Sequence, residues 1–176
     1  MADPAKTLRG VGGRRLLDRV LDACAEATRI VVVGEQTQVG RSVTWAREDP
    51  PGGGPVPALR AGLAQVRADQ VAVVAGDLPF LQLSDVRLLS LLAHPPAAGG
   101  VLVDDTGREQ WLAGVWRTQT LLAALTGYTG NSLHGVLTPL RPRPLAVFAT
   151  ARPRPWQDCD TPEQLAHAER LLQECP

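Results

Sequence analysis

Apolar residues in this chain alternate between stretches with helical spacing and short uninterrupted runs. Residues 14–28 carry apolar side chains at helical spacing, and residues 29–33 follow as an arginine and then a run of Ile and Val. Residues 59–66 and 71–75 repeat this succession of helix and apolar strand. Strands without polar alternation are typical of a parallel sheet that helices cover on both faces. The pattern predicts an α/β fold of three layers, doubly wound around a mainly parallel sheet.

The rest of the chain continues the alternation of helices and strands. We predict an extended segment at residues 42–45, a helix that Ser84 caps, strands at 100–103, 111–116 and 144–148, and short helices at 121–125 and 133–140. The last helix has the clearest start, with Thr161 as N-cap, Pro162 at its first position and Gln164 completing a capping box. No repeat or linker divides the chain, so we expect residues 1–176 to form one domain.

Composition excludes several classes of protein. The 18 basic and 18 acidic side chains among 176 residues sum to zero charge, which argues against a nucleic acid as partner. Three cysteines without a C-x-x-C pair predict neither a disulfide framework nor a zinc site. No stretch has the length of a signal peptide core or a membrane span, so we expect a cytoplasmic protein without a membrane partner. Lys6 is the only lysine.

Asp77 is the first candidate for chemistry. It follows the most apolar predicted strand in the segment Gly-Asp-Leu-Pro-Phe-Leu, residues 76–81. Ligands of open α/β sheets bind beyond the carboxyl ends of strands, and a carboxylate there is suited to Mg²⁺ together with phosphate oxygens. An Asp that merely stabilises a turn explains the spacing equally well.

Two further segments combine carboxylates with turn residues. Glu48 and Asp49 precede a proline-glycine cluster at residues 50–55, which is either a surface loop or a backbone that approaches a base or ribose. Asp158 and Asp160 precede the last helix, where capping alone favours acidic residues, although Asp160 remains a candidate second metal ligand.

Together these segments resemble the nucleotidyltransferases related to molybdenum cofactor guanylyltransferase. The similar segments occur in order along nearly the whole chain: residues 3–6, 12–20, 48–59, 76–81, 110–117 and 158–165. The resemblance implies a nucleotide-diphospho-sugar transferase type of fold and transfer of GMP from GTP to a molybdopterin-type acceptor, with release of pyrophosphate. Alternatives are a CTP-using enzyme, a transferase for another acceptor, or a non-catalytic binding module that kept the fold.

The resemblance also implies roles for individual residues. Asp77 would bind Mg²⁺ and through it the triphosphate, and Lys6 would neutralise phosphate charge. Gly34 and Asp49 correspond to positions that contact the guanosine, with Gly34 standing where the family has asparagine, so its contact would be through the backbone. The acceptor surface would lie roughly at residues 110–117 and 131–137. A molybdoenzyme or a second copy of the chain is a possible macromolecular partner.

The start of the chain departs from the family. Relatives open with a buried strand and a glycine-rich phosphate loop, whereas this sequence begins at Met1-Ala2-Asp3. We therefore expect the domain to lack its first strand and phosphate loop, with Met1 at the methionine of the family's Arg-Met-Gly motif. In-frame upstream DNA that encodes the strand and loop would support an internal start codon. A weakly active relative, or repair of the sheet by dimerisation, are the alternatives.

Overall fold

A computed structural model describes residues 9–147 and 153–174. The strands are β1 (Gly10–Val11), β2 (Arg14–Arg15), β3 (Val31–Val33), β4 (Thr44–Ala46), β5 (Gln70–Val74), β6 (Gly99–Val103), β7 (Glu109–Arg117) and β8 (Arg143–Ala146). The helices are α1 (Leu16–Ala23), α2 (Pro55–Leu63), α3 (Leu83–Leu92), α4 (Thr118–Leu125), α5 (Leu133–Leu137) and α6 (Pro162–Glu174), and a 3₁₀ turn (Thr138–Leu140) follows α5. None of the helices in these ranges is long and apolar enough to cross a membrane.

The main sheet has four strands in the order β5-β7-β6-β8. β7 pairs antiparallel with both β5 and β6, while β6 and β8 are parallel, so three of the four strands run in one direction. β3 and β4 form a separate parallel pair, and β1 and β2 a short hairpin. The mixed α/β architecture and the prevailing parallel direction confirm the predicted fold class.

β3 is less buried than its sequence predicts. Its three valines are only half-buried, although an uninterrupted apolar run is typical of a strand covered on both faces. The reason is topological: within the described ranges β3 pairs only with β4, and β5 pairs only with β7. The residues of β3 and β4 also lie outside the three buried clusters that form the core.

Helix α2 covers both β3 and β5. Its Val56 and Leu63 pack in the buried cluster that Val71 and Val73 of β5 join. On the other side, Val33 approaches the helix so closely that a Cβ at Gly62 would lie 3.1 Å from its Cγ2 atom. β3 and β5 therefore lie under the same helix without a ladder between them.

Most predicted elements form, with shifted ends. α1 is shorter than residues 14–28, because Arg14 and Arg15 form β2 instead and the helix already ends at Ala23. Ser84 is not the N-cap of α3: the helix begins at Leu83, and the Asp85 carboxylate accepts the backbone N–H of Gln82 at 2.9 Å. Of the predicted strand at 144–148, the described part matches β8, and Phe148 lies outside the described residues.

The capping box of α6 is confirmed. The Gln164 N–H donates to Thr161 Oγ1 at 3.2 Å, and the Thr161 N–H donates to Gln164 Oε1 at 2.8 Å. The helix packs its Ala168, with Leu165, Leu171 and Leu172 around it, onto a cluster that includes Phe80 and Cys159. This packing ties the carboxyl-terminal helix to the turn that follows β5.

Candidate active site

Asp77 lies in a buried turn directly after β5. The five residues 77–81 are all buried, and Asp77 itself is 9% exposed. Leu78 and Leu81 pack into one core cluster and Phe80 into another, so apolar side chains on two sides hold the turn. Burial of this kind reduces the freedom of the backbone that carries the carboxylate. The turn is thus built to present an acidic group at a fixed place, at the end of a strand of the main sheet.

The segment before α6 lies beside this turn. Phe80 shares a buried cluster with Cys159, which is fully buried and adjacent in sequence to Asp160. Asp160 itself is exposed, and its backbone N–H donates to Gln164 Oε1 at 2.7 Å as part of the helix start. The structure therefore brings the segments of the two predicted metal ligands together, but places Asp160 in a capping arrangement.

The carboxylates fit a magnesium site of one particular kind. Among the described residues no group of three or more His, Cys, Asp or Glu side chains could hold a metal ion by itself. Mg²⁺ in nucleotide enzymes requires only one or two carboxylates, because phosphate oxygens and water supply the other ligands. The buried Asp77 carboxylate meets that lesser requirement, so a metal here would depend on the bound nucleotide.

Gly34 and Asp49 follow the two paired strands β3 and β4. Val33 is the register partner of Ala46, so both residues come just beyond the same carboxyl edge. Arg47 and Glu35 approach each other across that edge at 3.4 Å. The Gly34 N–H donates to the Ala46 carbonyl at 2.9 Å. A backbone contact from Gly34 to a base would therefore be made by its carbonyl, which leaves the base to provide the donor.

The loop after β4 is closed by one of its own carboxylates. Glu48 Oε1 accepts the N–H of Gly52 at 3.0 Å, and hydrogen bonds from its own backbone and from Gly52 hold the pKa of Glu48 below its usual value. Asp49, by contrast, is exposed. Of the two acidic residues, Glu48 thus shapes the loop and Asp49 extends into solvent where a ribose or base could approach.

Lys6 lies outside the described residues, and no ladder joins β3 to β5 in the part of the chain that the structure describes. The predicted site residues thus fall into two neighbourhoods, and Lys6 has no described position. Asp77 and Asp160 belong to the first neighbourhood, and Gly34 and Asp49 to the second.

Sequence patterns did not indicate that Trp111 of β7 and His134 of α5 form an aromatic pair. The antiparallel register of β5 and β7 continues past Val74 through a hydrogen bond of 2.8 Å from the Ala75 N–H to the Leu112 carbonyl. Trp111 comes next to Leu112 on β7. The ring centroids of Trp111 and His134 are 6.1 Å apart, with the planes at 87°. The only signal in the sequence was that both residues fall in the segments expected to face the acceptor.

Comparisons with known proteins identify the family of this chain. The family model of the MobA-like NTP transferase domain matches residues 1–145. A molybdenum cofactor guanylyltransferase from Rhodobacter capsulatus is 30% identical over 179 aligned positions, which cover 97% of this chain and 90% of the relative. A probable molybdenum cofactor guanylyltransferase from Natronomonas pharaonis is 27% identical and covers 98% of this chain and 92% of its own length.

Solved structures show the same fold at low identity. The molybdopterin-guanine dinucleotide biosynthesis protein A from Archaeoglobus fulgidus superposes with a TM-score of 0.70 at 16% identity, covering 96% of this chain and 91% of the other. The 2-C-methyl-D-erythritol 4-phosphate cytidylyltransferase from Thermus thermophilus also gives 0.70, at 18% identity, with 98% and 96% covered. The family match spans most of the chain, and the chain therefore belongs to the family of MobA-like NTP transferase domains.

Proposed function

We propose that this protein transfers GMP from GTP to a phosphorylated, molybdopterin-type acceptor and releases pyrophosphate. The observation that carries the proposal is the buried turn of residues 77–81, which holds Asp77 at the end of β5 in a chain of this family. The similarity to molybdenum cofactor guanylyltransferases from two organisms favours GTP over CTP and this acceptor over others.

The proposed reaction is a single displacement at phosphorus. A phosphate oxygen of the acceptor forms a bond to the α-phosphorus of GTP, and the bond from that phosphorus to the bridging oxygen breaks as pyrophosphate leaves. Positioning and stabilisation of charge on the non-bridging oxygens account for most of the acceleration of such transfers. Mg²⁺ at Asp77 would supply that charge, Lys6 would add a second positive charge, and Asp160 would be a second carboxylate near the metal.

The nucleoside would lie beyond β3 and β4. The Gly34 carbonyl can only accept hydrogen bonds. The Watson–Crick edge of guanine offers it N–H donors at N1 and N2, whereas that edge of cytosine or adenine has a single amino group as donor. Asp49 would accept from the ribose or the base. These roles rest on the position of both residues at one carboxyl edge.

Nucleotide titration calorimetry tests this proposal. We expect the purified protein with Mg²⁺ to bind GTP more tightly than CTP or ATP, and Asp77→Asn to weaken GTP binding about tenfold or more, equivalent to ~1.4 kcal/mol. Asp69→Ala is the matched control, because Asp69 precedes the same strand and lies at its opposite end. Lys6→Ala should weaken binding more than Lys6→Arg, which keeps the charge. Equal GTP affinity in Asp77→Asn and wild type would refute the assigned site.

The expectation that the domain lacks the first strand of its family stays a prediction. Within the described residues β3 and β5 are both half-buried and lie under the same helix without a ladder between them.

A further inference from the structure

We infer that a groove at the amino ends of β3 and β4 binds a phosphorylated small molecule, which Arg29 and Arg41 hold in place. The groove has a volume of about 370 Å³. Two segments line it: residues 27–30, which lead into β3, and residues 41–44, which reach the first residue of β4. Neither arginine belongs to the proposed site of nucleotidyl transfer.

The groove lies at the opposite end of the strands from the edge proposed for the nucleoside. Gly34 and Asp49 follow the carboxyl ends of β3 and β4, whereas the groove is formed where both strands begin. β3 has three residues, and a strand rises about 3.3 Å per residue, so about 10 Å of sheet separates the two places. A ligand in the groove therefore occupies a site distinct from that of the nucleotide.

The lining of the groove is positive and rich in hydrogen-bond donors. Besides the two arginines it carries the hydroxyl groups of Thr28, Ser42 and Thr44, and none of the described residues that line it is acidic. Guanidinium and hydroxyl groups can all donate hydrogen bonds. Donors and positive charge without a carboxylate favour an anion over a cation or an apolar ligand.

Acidic residues of the neighbouring helix already have arginine partners. Asp22 of α1 accepts a hydrogen bond from Arg14 Nη2 at 2.6 Å, and its other oxygen lies 3.6 Å from Arg41 Nε. One carboxylate thus faces two guanidinium groups and cannot neutralise both. Glu26, which follows α1, pairs with Arg87 of α3. The positive charge of the groove therefore remains only partly compensated.

Contacts outside the groove orient both arginines. Arg29 Nη1 donates to the Gln65 carbonyl at 3.3 Å, and Arg29 forms no ion pair within the described ranges. Arg41 is oriented by its contact with Asp22. Each guanidinium has five N–H donors, so one such contact leaves others for a ligand. Side chains that are already oriented lose less freedom on binding.

The end of α1 does not cancel this charge. A helix carboxyl end is partly negative because its last carbonyls lack partners, and the effect is confined to the last turn. Here the Cys24 N–H donates to the Val20 and Leu21 carbonyls at 3.2 Å, and the Ala25 N–H donates to the Asp22 carbonyl at 3.1 Å. With these acceptors occupied, the arginines determine the sign of the charge in the groove.

A ligand with two phosphate groups matches the two arginines. Guanidinium groups form paired, charge-assisted hydrogen bonds with phosphate oxygens. The volume is at the lower end of the range of about 300–1,000 Å³ in which small molecules bind. The Thr44 N–H donates to the Ile30 carbonyl at 2.8 Å and so joins the two segments of the lining. A ligand that contacts Arg29 and Arg41 would join the same segments a second time and hinder their separation.

Titration of the full chain with inorganic pyrophosphate, followed by NMR of the backbone amides without Mg²⁺, tests the inference. Inorganic phosphate and sodium chloride of equal ionic strength are the comparisons. We expect saturable shifts at residues 28–30 and 42–44, and about tenfold tighter binding of pyrophosphate than of phosphate, because only pyrophosphate reaches both arginines. Pyrophosphate should also slow exchange of the Thr44 amide proton.

Variants assign the binding to the groove. Arg29→Gln and Arg41→Gln should each weaken pyrophosphate binding about tenfold or more, as expected for hydrogen bonds between charged groups. Arg143→Gln, at an exposed arginine of β8, is the matched control and should bind as the wild type does. Asp77→Asn should also leave this affinity unchanged.

Four results would overturn the inference. These are a wild type without saturable shifts at the groove, equal affinity for phosphate and pyrophosphate, unchanged affinity in Arg29→Gln, and an equal loss in Arg143→Gln, which would indicate attraction by overall charge. Loss of binding in Asp77→Asn would place the pyrophosphate at the proposed active site and also overturn it. Arg29→Gln decides the matter if Arg41→Gln, which loses the contact with Asp22, does not fold.

Discussion

Trp116 makes the sheet sensitive to a single methyl group at Gly99. The indole is fully buried in the core, and Gly99 on β6 is its register partner from β7. A Cβ at Gly99 would lie 2.7 Å from Trp116 Cε3 and 2.7 Å from the Val115 carbonyl oxygen. Neither group can move freely, because one belongs to a buried ring and the other to the backbone of a central strand.

The magnitude follows from this crowding. Extra carbon in a packed core costs about 1–3 kcal/mol, and the contact with backbone places Gly99→Ala near the middle of that range. For a chain of this size each kcal/mol lowers the thermal midpoint by about 2–4 °C, so we expect a decrease of about 4–8 °C. Gly10→Ala is the matched control, since its nearest new neighbour would be the Arg14 carbonyl at an ordinary 3.7 Å.

Calorimetric unfolding of both variants checks this prediction, and a double-mutant cycle tests its cause. Combining Gly99→Ala with Trp116→Leu should cost less than the sum of the two single changes by about 1 kcal/mol, because the smaller side chain makes room for the methyl group. A Gly99→Ala midpoint equal to that of the wild type, or exact additivity in the cycle, would show that the sheet absorbs the methyl group without strain and that the reasoning is wrong.

Two substitutions and one labelling experiment test local interactions. Thr161→Ala should lower the free energy of unfolding by about 1 kcal/mol in urea denaturation, because the N-cap oxygen of α6 is lost; an unchanged midpoint would contradict the cap. Burial raises the pKa of the Cys24 thiol to about 11, so iodoacetamide at pH 8 should label it only after unfolding, as mass spectrometry would show. Hydrogen bonds from Thr106 and Arg108 lower the pKa of Asp104. The contribution of Asp104 to stability is therefore present above the ordinary carboxyl pKa and is lost as the pH falls through the lowered value. Asp104→Asn should reduce this loss of stability at acid pH in thermal unfolding, and an unaltered pH profile would argue against it.

The sequence predicted the type and order of most elements, because their apolar spacing is strong and local. It also predicted where Asp77 lies, since a carboxylate after a continuous apolar strand has few other positions in an α/β fold. The prediction of Ser84 as the N-cap of α3 was wrong. Ser84 and Gln82 are both plausible caps, and the choice between them depends on where the Asp85 carboxylate packs. The proximity of Trp111 and His134 depends on strand register and on the docking of α5, which no local pattern contains.

The separation of β3 and β4 from the core clusters has a consequence for ligand affinity. Segments with few buried apolar contacts open at a lower free energy than the rest of a domain. We expect amide protons of Val31, Val32 and Val33 to exchange with solvent faster than those of β7, and GTP to slow that exchange. If β3 and β4 are paired in only about one molecule in ten, the observed affinity for GTP is about tenfold weaker than the affinity of the molecules in which they are paired. The nucleotide would then contribute to assembling its own binding site.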